Sequence, residues 1–211
     1  MKRSLNLSLS LSLPTALAAL LLGCSSSGVQ NPKGIPVTQM NADERGFVAG
    51  TGVESQDLLA VTDKMSRSIL GVRQIAAATT APKVILEPVV NESRFPINKD
   101  IFLTRIRTQL NSKSQGKVSF LAREYMAALE KERALKQSGQ VTSTSDPKAL
   151  EFHGADFLLT GKLQGLTTRT KAGTSDYILY SFQLIDARTS EIVWEDSAEI
   201  KKQGLEDAAY R

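Results

Sequence analysis

Three alternating segments in the C-terminal third constrain the fold of this chain more than any other feature. Apolar and polar residues alternate over residues 155–166, 177–186 and 192–200. This alternation is typical of strands with one face on a core and the other in solvent. Because loops join consecutive segments, we expect antiparallel pairing. Trp194 shares a face with Ile192 and Ile200 and should pack against helices, although an exposed aromatic contact for a partner is the alternative.

The preceding residues predict helices and two short strands. Apolar residues recur at three- and four-residue spacing over 55–72, 98–110 and 122–137, with Ser55 as a possible N-cap of the first helix. A further short helix is expected at 147–152, after Pro147. Runs rich in β-formers at 83–90 and 117–121 predict strands, and Pro88 must lie at an edge, a bulge or a strand end. The chain therefore predicts an α+β fold with a mostly antiparallel sheet of four or five strands and helices mainly on one face.

The N-terminus has the features of a secretory signal. Lys2 and Arg3 precede an apolar run, and Gly23 stands directly before Cys24, the only cysteine. Pro14 and several serines interrupt the run, which makes a permanent membrane span a poor interpretation. The end of the run resembles a bacterial lipobox, in which the cysteine is acylated and the signal is cut before it. We expect Cys24 to be the lipidated first residue of the mature chain, held stably on a membrane by two or more acyl chains.

These features divide the chain into three parts. Residues 1–23 are the expected signal peptide, 24–54 the lipidated cysteine with a flexible linker, and 55–211 a globular domain. The linker is rich in Ser, Gly, Asn, Pro and Gln, and a flexible chain of this length has an r.m.s. span of about 30 Å. With its only cysteine acylated, the domain forms no disulfide and must rely on its hydrophobic core.

Several function classes are disfavoured by the composition. Without the signal, 24 basic and 22 acidic residues remain, and this small excess gives no nucleic-acid footprint. His153 is the only histidine, no G-x-S-x-G motif is present, and Gly46, Gly50 and Gly52 do not follow a predicted strand. We therefore expect no catalytic residue, no metal site and no cofactor.

A family resemblance adds a functional expectation. The strand at 84–89 leading into a turn at Asn91, the helix at 104–110, the strand at 116–120, the Gly-Ala-Asp strand at 154–161 and the closing hairpin that ends at Trp194 occur in a definite order. This order resembles the LpoB family of penicillin-binding protein activators, over about residues 55–203. The same segments are similar to the curli-secretion lipoprotein CsgG and to the N-terminal domain of TolB.

The resemblance implies a TolB N-terminal-domain-like fold and an outer-membrane lipoprotein on the periplasmic side. It also implies a function without chemistry of its own, namely binding and activating a bifunctional, class A penicillin-binding protein during peptidoglycan synthesis. A serine directly after the cysteine, here Ser25, is similar to the sequence of lipoproteins that Gram-negative bacteria export to the outer membrane. The linker has only Pro32 and Pro36, whereas typical members have a longer, proline-rich one. A subunit of another envelope assembly or secretion system, similar to CsgG, is the alternative.

The loop at 91–98 is the expected partner-binding surface. Loops between rigid elements often carry recognition, and Arg94 and Phe95 are residue types suited to interfaces. Asn91 is carried over from the Asn-containing turn of the resembling family. In the alternative interpretation, Phe95 packs against the following helix and Arg94 is solvated.

Overall fold

The computed structural model describes residues 36–142 and 152–205. Cys24 and residues 147–151 of the short helix expected after Pro147 therefore lie outside the described residues. All of the helices and strands described belong to a unit that begins at Met40. Within the described ranges, no helix has the length and apolar composition needed to cross a membrane.

Helices and strands are both present, which confirms the α+β class. The helices of the described ranges are α1 (Ser55–Leu70), α2 (Arg73–Ala76), α3 (Ile101–Lys113) and α4 (Met126–Gln137), the last preceded by a 3₁₀ turn at Arg123–Tyr125. The strands are β1 (Lys83–Leu86), β2 (Val90–Glu92), β3 (Ser119–Phe120), β4 (Phe157–Thr170), β5 (Gly173–Asp186) and β6 (Ile192–Gly204).

The strands form one mixed sheet of six strands rather than four or five. Its order is β3-β1-β4-β5-β6, with β2 also paired to β4. The long strands β4, β5 and β6 pair antiparallel, as predicted, whereas β1 and β2 lie parallel to β4 and β3 lies parallel to β1. The extra strand arises near Pro88, where the run predicted as one strand divides into β1 and β2.

The core lies between one face of this sheet and helices α1 and α3. The Phe102 ring of α3 packs 5.5 Å from the Tyr180 ring and 6.1 Å from the Phe182 ring, measured between centroids. Gly161 of β4 lies beneath Phe182, and a Cβ at Gly161 would come within 2.5 Å of that ring. Glycine is therefore required at position 161, because a side chain there would clash with the Phe182 ring of the neighbouring strand. The largest fully buried side chains are Tyr180, Phe102, Phe182, Met65, Ile69, Ile75, Ile106, Leu110, Leu159, Leu163, Leu184 and Val61.

Trp194 of β6 packs against this core, as predicted, and it is half-buried. Ile192 does not share this face, contrary to the prediction, because the pairing of β5 with β6 shifts register between Leu184 and Ile185. The Trp194 indole Nε1 donates a hydrogen bond to Ser68 Oγ of α1 over 2.9 Å. The indole thus ties β6 to α1 through both apolar contact and a polar one.

The folded part begins earlier than residue 55. Glu54 rather than Ser55 is the N-cap of α1, and its backbone N–H donates to Asp57 Oδ2 over 2.8 Å. Thr51 is only 4% exposed. The last residues of the segment assigned to the linker are therefore part of the domain, because their polar groups have partners on the sheet and on α1.

Candidate functional site

The three residues expected to bind a partner lie at the end of β2 and in the loop that follows it: Asn91 is part of β2, whereas Arg94 and Phe95 belong to the loop before α3. Asn91 closes this loop from within: its Nδ2 donates to Phe95 O over 2.8 Å, and its Oδ1 accepts from Ser93 N at 3.0 Å and from Ser93 Oγ at 2.7 Å. These are contacts of an Asx-type turn. Asn91 therefore fixes the shape of the loop.

Phe95 points into the core. It is 2% exposed and belongs to the same hydrophobic cluster as Phe102. The expectation that Phe95 offers its ring to a partner is therefore wrong for this conformation, and the alternative, in which it packs inside, agrees with the structure. Burial of a large apolar side chain stabilises the fold, and this gain holds the loop on the domain.

Arg94 is neither fully solvated nor directed away from the domain. Its Nε donates to Asp176 Oδ1 over 2.9 Å, and its Nη2 donates to Asp176 Oδ2 over 2.6 Å. The guanidinium also lies 4.2 Å from the centroid of the Phe95 ring. Such a bidentate pair fixes the arginine in one orientation. The Arg94 side chain is 29% exposed and that of Asp176 is 1% exposed.

Asp176 of β5 is the centre of a polar cluster that we call the Asp176 cluster, formed with Arg94, Thr51 and Thr167. The hydroxyls of Thr51 and Thr167 both donate to its carboxylate. Burial alone would raise the pKa of Asp176, but hydrogen bonds from Arg94, Thr167 and Thr51 outweigh it and hold the pKa well below its usual value. The carboxylate is therefore ionised at neutral pH.

The Asp176 cluster joins segments that are far apart in the sequence. Thr51 precedes α1, Arg94 follows β2, and Thr167 and Asp176 lie on the paired strands β4 and β5. Its signal was present in the sequence: Asp176 occupies a position of β5 in step with buried Ile178 and Tyr180. A charge on the core-facing side of a strand requires a partner.

The outward part of the loop is polar and continues onto the face of the sheet opposite α1 and α3. Glu92 accepts from Lys162 Nζ over 2.7 Å and from Gln164 Nε2 over 3.1 Å, both on β4. Glu92, Arg94, Pro96 and Asn98 are the exposed residues of the loop, and Asn91 is half-buried. These outward groups are the ones that a protein partner can contact.

Potential metal-binding side chains do not converge in the described part of the chain. Over residues 36–142 and 152–205, no group of three or more His, Cys, Asp and Glu side chains converges on a possible metal position. His153 accepts a hydrogen bond at its backbone carbonyl from Arg123 Nη2 over 2.7 Å.

Comparison with known proteins decides the family. Residues 57–200 match the family model described as peptidoglycan-synthase activator LpoB. The chain belongs to the LpoB family. This match confirms the resemblance that the order of segments in the sequence had indicated, and it runs from the first turn of α1 into β6.

Solved structures of LpoB family members are similar at low identity. The C-terminal domain of LpoB from Salmonella enterica is 15% identical, with a TM-score of 0.42, covering 68% of this chain and 98% of that one. The corresponding domain from Escherichia coli is 16% identical, with a TM-score of 0.41 and the same coverage. An NMR structure of E. coli LpoB is 14% identical, with a TM-score of 0.39, covering 82% of this chain and 86% of that one. A search of curated proteins found no match.

The part matched to the LpoB family contains three members of the Asp176 cluster and excludes the fourth. Arg94, Thr167 and Asp176 lie within residues 57–200, whereas Thr51 lies before it. The family match therefore gives no information on the segment before α1, whose role is inferred from its own hydrogen bonds.

Proposed function

We propose that this chain is an outer-membrane lipoprotein that binds a class A penicillin-binding protein and stimulates its synthesis of peptidoglycan, without catalysing a reaction itself. The observation that carries the proposal is the match of residues 57–200 to the peptidoglycan-synthase activators of the LpoB family. The lipobox-like sequence that ends at Cys24 supports a lipid anchor and a position on the periplasmic side of the outer membrane.

The proposed organisation has three parts. Residues 1–23 act as a signal that is removed, Cys24 carries the acyl chains, and a tether leads to the domain. Because Thr51 is buried in the Asp176 cluster, the tether ends before Thr51 rather than at residue 54. Incorporation of labelled palmitate into the wild type and into Cys24→Ala tests the proposed lipid anchor. The variant should lose incorporation, and equal incorporation would refute the anchor.

The proposed contact with the synthase is the outward side of the loop at 91–98. Asn91 and Phe95 hold the loop in shape from inside, and Arg94 fixes it to β5. Glu92 and the exposed part of Arg94 then provide charges on a rigid surface, which suits a protein interface with a polar rim. Arg94→Glu is a poor test of this contact, because it would also place two carboxylates together in the Asp176 cluster.

A charge reversal at Glu92 tests the contact with less effect on the fold, because the ion pair of Glu92 is exposed. We expect Glu92→Lys to weaken binding to a purified class A penicillin-binding protein about fivefold, or roughly 1 kcal/mol. The matched control is Glu130→Lys on the exposed surface of α4, which should bind as the wild type does. If saturable binding is found and both variants bind equally well, the contact lies elsewhere. If the wild type itself does not bind, the proposed function is wrong.

A further inference from the structure

Strand β6 forms a long edge of the sheet. It pairs with β5 from Ile192 to Gly204, and of the strands that the structure describes none lies on its other side. An edge strand directs alternate N–H and C=O groups away from the sheet, where a strand of another chain can pair with them. The register shift between Leu184 and Ile185 disturbs only the beginning of β6. The remainder of this edge therefore needs another form of protection.

Ser197 lies near the middle of this edge, and side chains bond both of its backbone groups. Lys64 Nζ of α1 donates to Ser197 O, and Ser197 N donates to Asp196 Oδ1 over 2.8 Å. Lys64 Nζ also lies 3.1 Å from Asp196 Oδ1, so an ion pair connects the two contacts. We call Lys64, Asp196 and Ser197 the edge clamp. A backbone group that is bonded in this way is not available to a new strand.

The edge clamp is held in place by α1. Ser68, one turn after Lys64, donates to the Asp196 carboxylate and accepts from Trp194 Nε1 over 2.9 Å. Burial alone would raise the pKa of Asp196, but hydrogen bonds from Ser68, Lys64 and Ser197 N outweigh it and lower this pKa. The carboxylate is therefore ionised at neutral pH and remains an acceptor for all of these donors.

The charges of β6 give no protection against a second copy of this chain. Antiparallel pairing of two β6 strands about Ala198 would place Glu195 of each copy opposite Lys201 of the other. Opposite charges on facing residues favour such a pair. The same register would place Ser197 opposite Glu199 and would need the backbone groups of Ser197 for hydrogen bonds between the strands. The edge clamp thus blocks a register that the charges favour.

We propose that the edge clamp prevents this chain from pairing with a second copy through β6. Lys64 covers the Ser197 carbonyl, Asp196 covers its N–H, and together they interrupt the row of groups that a facing strand would need. The proposal is independent of the lipid anchor and of the synthase, because every group in it belongs to α1 or β6.

Sedimentation velocity of the unlipidated Cys24→Ala chain tests the proposal. In this parent chain, Lys64→Ala with Asp196→Ala frees the backbone groups that the edge clamp holds, and we expect the dissociation constant of the dimer to fall at least about tenfold. The matched control removes another ion pair, with Lys136→Ala and Glu132→Ala on α4, and should sediment as the parent does. A folded double variant that stays monomeric would overturn the proposal, and so would a parent chain that dimerises equally well.

A third substitution tests whether the dimer forms through β6. Added to Lys64→Ala and Asp196→Ala, Lys201→Glu places acidic residues opposite each other in the pairing about Ala198 and should weaken the dimer about fivefold. A dimer that is unaffected by Lys201→Glu forms elsewhere and would overturn the proposal. If the double variant loses its native circular dichroism spectrum, Lys64→Ala alone serves instead, since this side chain is 50% exposed. It frees Ser197 O and should also favour the dimer, and no increase in dimer would overturn the proposal.

Discussion

Two loops of this chain each have an arginine close to a phenylalanine in the sequence. One loop directs these side chains towards the domain, and the other directs them towards solvent. In the loop at 91–98, Phe95 is 2% exposed and Arg94 is paired with buried Asp176. In the segment at 40–49, Phe47 is 58% exposed and Arg45 is also exposed. The difference comes from what lies beneath each loop: a carboxylate on the core-facing side of β5 attracts Arg94, and the adjoining hydrophobic cluster receives Phe95. The direction of a loop aromatic is thus decided by the sheet and not by the loop's own sequence.

The largest expected difference between the loops is in the two phenylalanines. Phe95→Ala should reduce the free energy of unfolding by about 4 kcal/mol, because it removes a buried ring and leaves a cavity. Phe47→Ala should change that free energy by no more than about 0.5 kcal/mol. Urea denaturation of the unlipidated Cys24→Ala chain measures both. Similar losses for the two variants would show that the loops do not differ in the way described.

The two arginines should differ in the same direction. Arg94→Ala leaves the buried carboxylate of Asp176 without its ion-pair partner and should cost about 3 kcal/mol of unfolding free energy. Arg45→Ala is the control and should lie within about 0.5 kcal/mol of the wild type. Arg94→Lys keeps the charge but loses the bidentate geometry, so an intermediate value is expected. If Arg94→Ala is no more costly than its control, Asp176 does not need the pair.

The ion pair should also give the chain a specific dependence on acid. The pKa of Asp176 is lower in the folded chain than its ordinary value of about 3.9 in the unfolded one. Its contribution to stability is therefore fully present above the unfolded pKa and is lost as the pH falls through that value towards the folded pKa. We expect the wild type to lose unfolding free energy more steeply than Asp176→Asn below about pH 4. Parallel pH profiles for the two proteins would contradict this assignment.

Substitution of Trp194 should change the free energy of unfolding by a smaller amount. Its side chain is half-buried and so lies between buried Phe95 and exposed Phe47. Trp194→Phe keeps an aromatic ring but removes the hydrogen bond to Ser68, and it should cost about 1 kcal/mol. Ser68→Ala should cost less in the Trp194→Phe background than in the wild type, because only its hydrogen bond to Asp196 is then left to lose. Circular dichroism during denaturation measures the double-mutant cycle without relying on the chain's single tryptophan. Fully additive costs would show that the hydrogen bond contributes nothing.

Features that depend on local periodicity could be predicted from the sequence. α1, α3 and the three long strands follow from the spacing of their own apolar residues. The ends of β4 and β5 could not, because residues 167–176 are mostly polar and Thr-rich and lack an apolar alternation, yet they pair closely across a hairpin. The parallel pairing of β1 and β2 with β4 also depends on segments about 70 residues apart, which no local pattern contains.

The candidate site shows the same limit. Asn91 in β2 does lie beside Arg94 and Phe95 in the following loop, but which of them faces solvent depends on Asp176, 82 residues beyond Arg94. The expected end of the linker at residue 54 missed buried Thr51 for a related reason, since its partner is again Asp176. Asp176 was the one available signal, as a charge in step with the apolar positions of β5.

The rate of glycan polymerisation by a class A penicillin-binding protein tests the proposed function most directly. The lipidated chain is titrated into the purified synthase with its lipid-linked substrate, and the Glu130→Lys variant serves as a control for handling and added detergent. We predict a saturable increase in the rate with the wild type and with this control, and a shift to higher concentration with Glu92→Lys. A rate that does not change at saturating concentrations of the wild-type chain would contradict its assignment as an activator of such synthases.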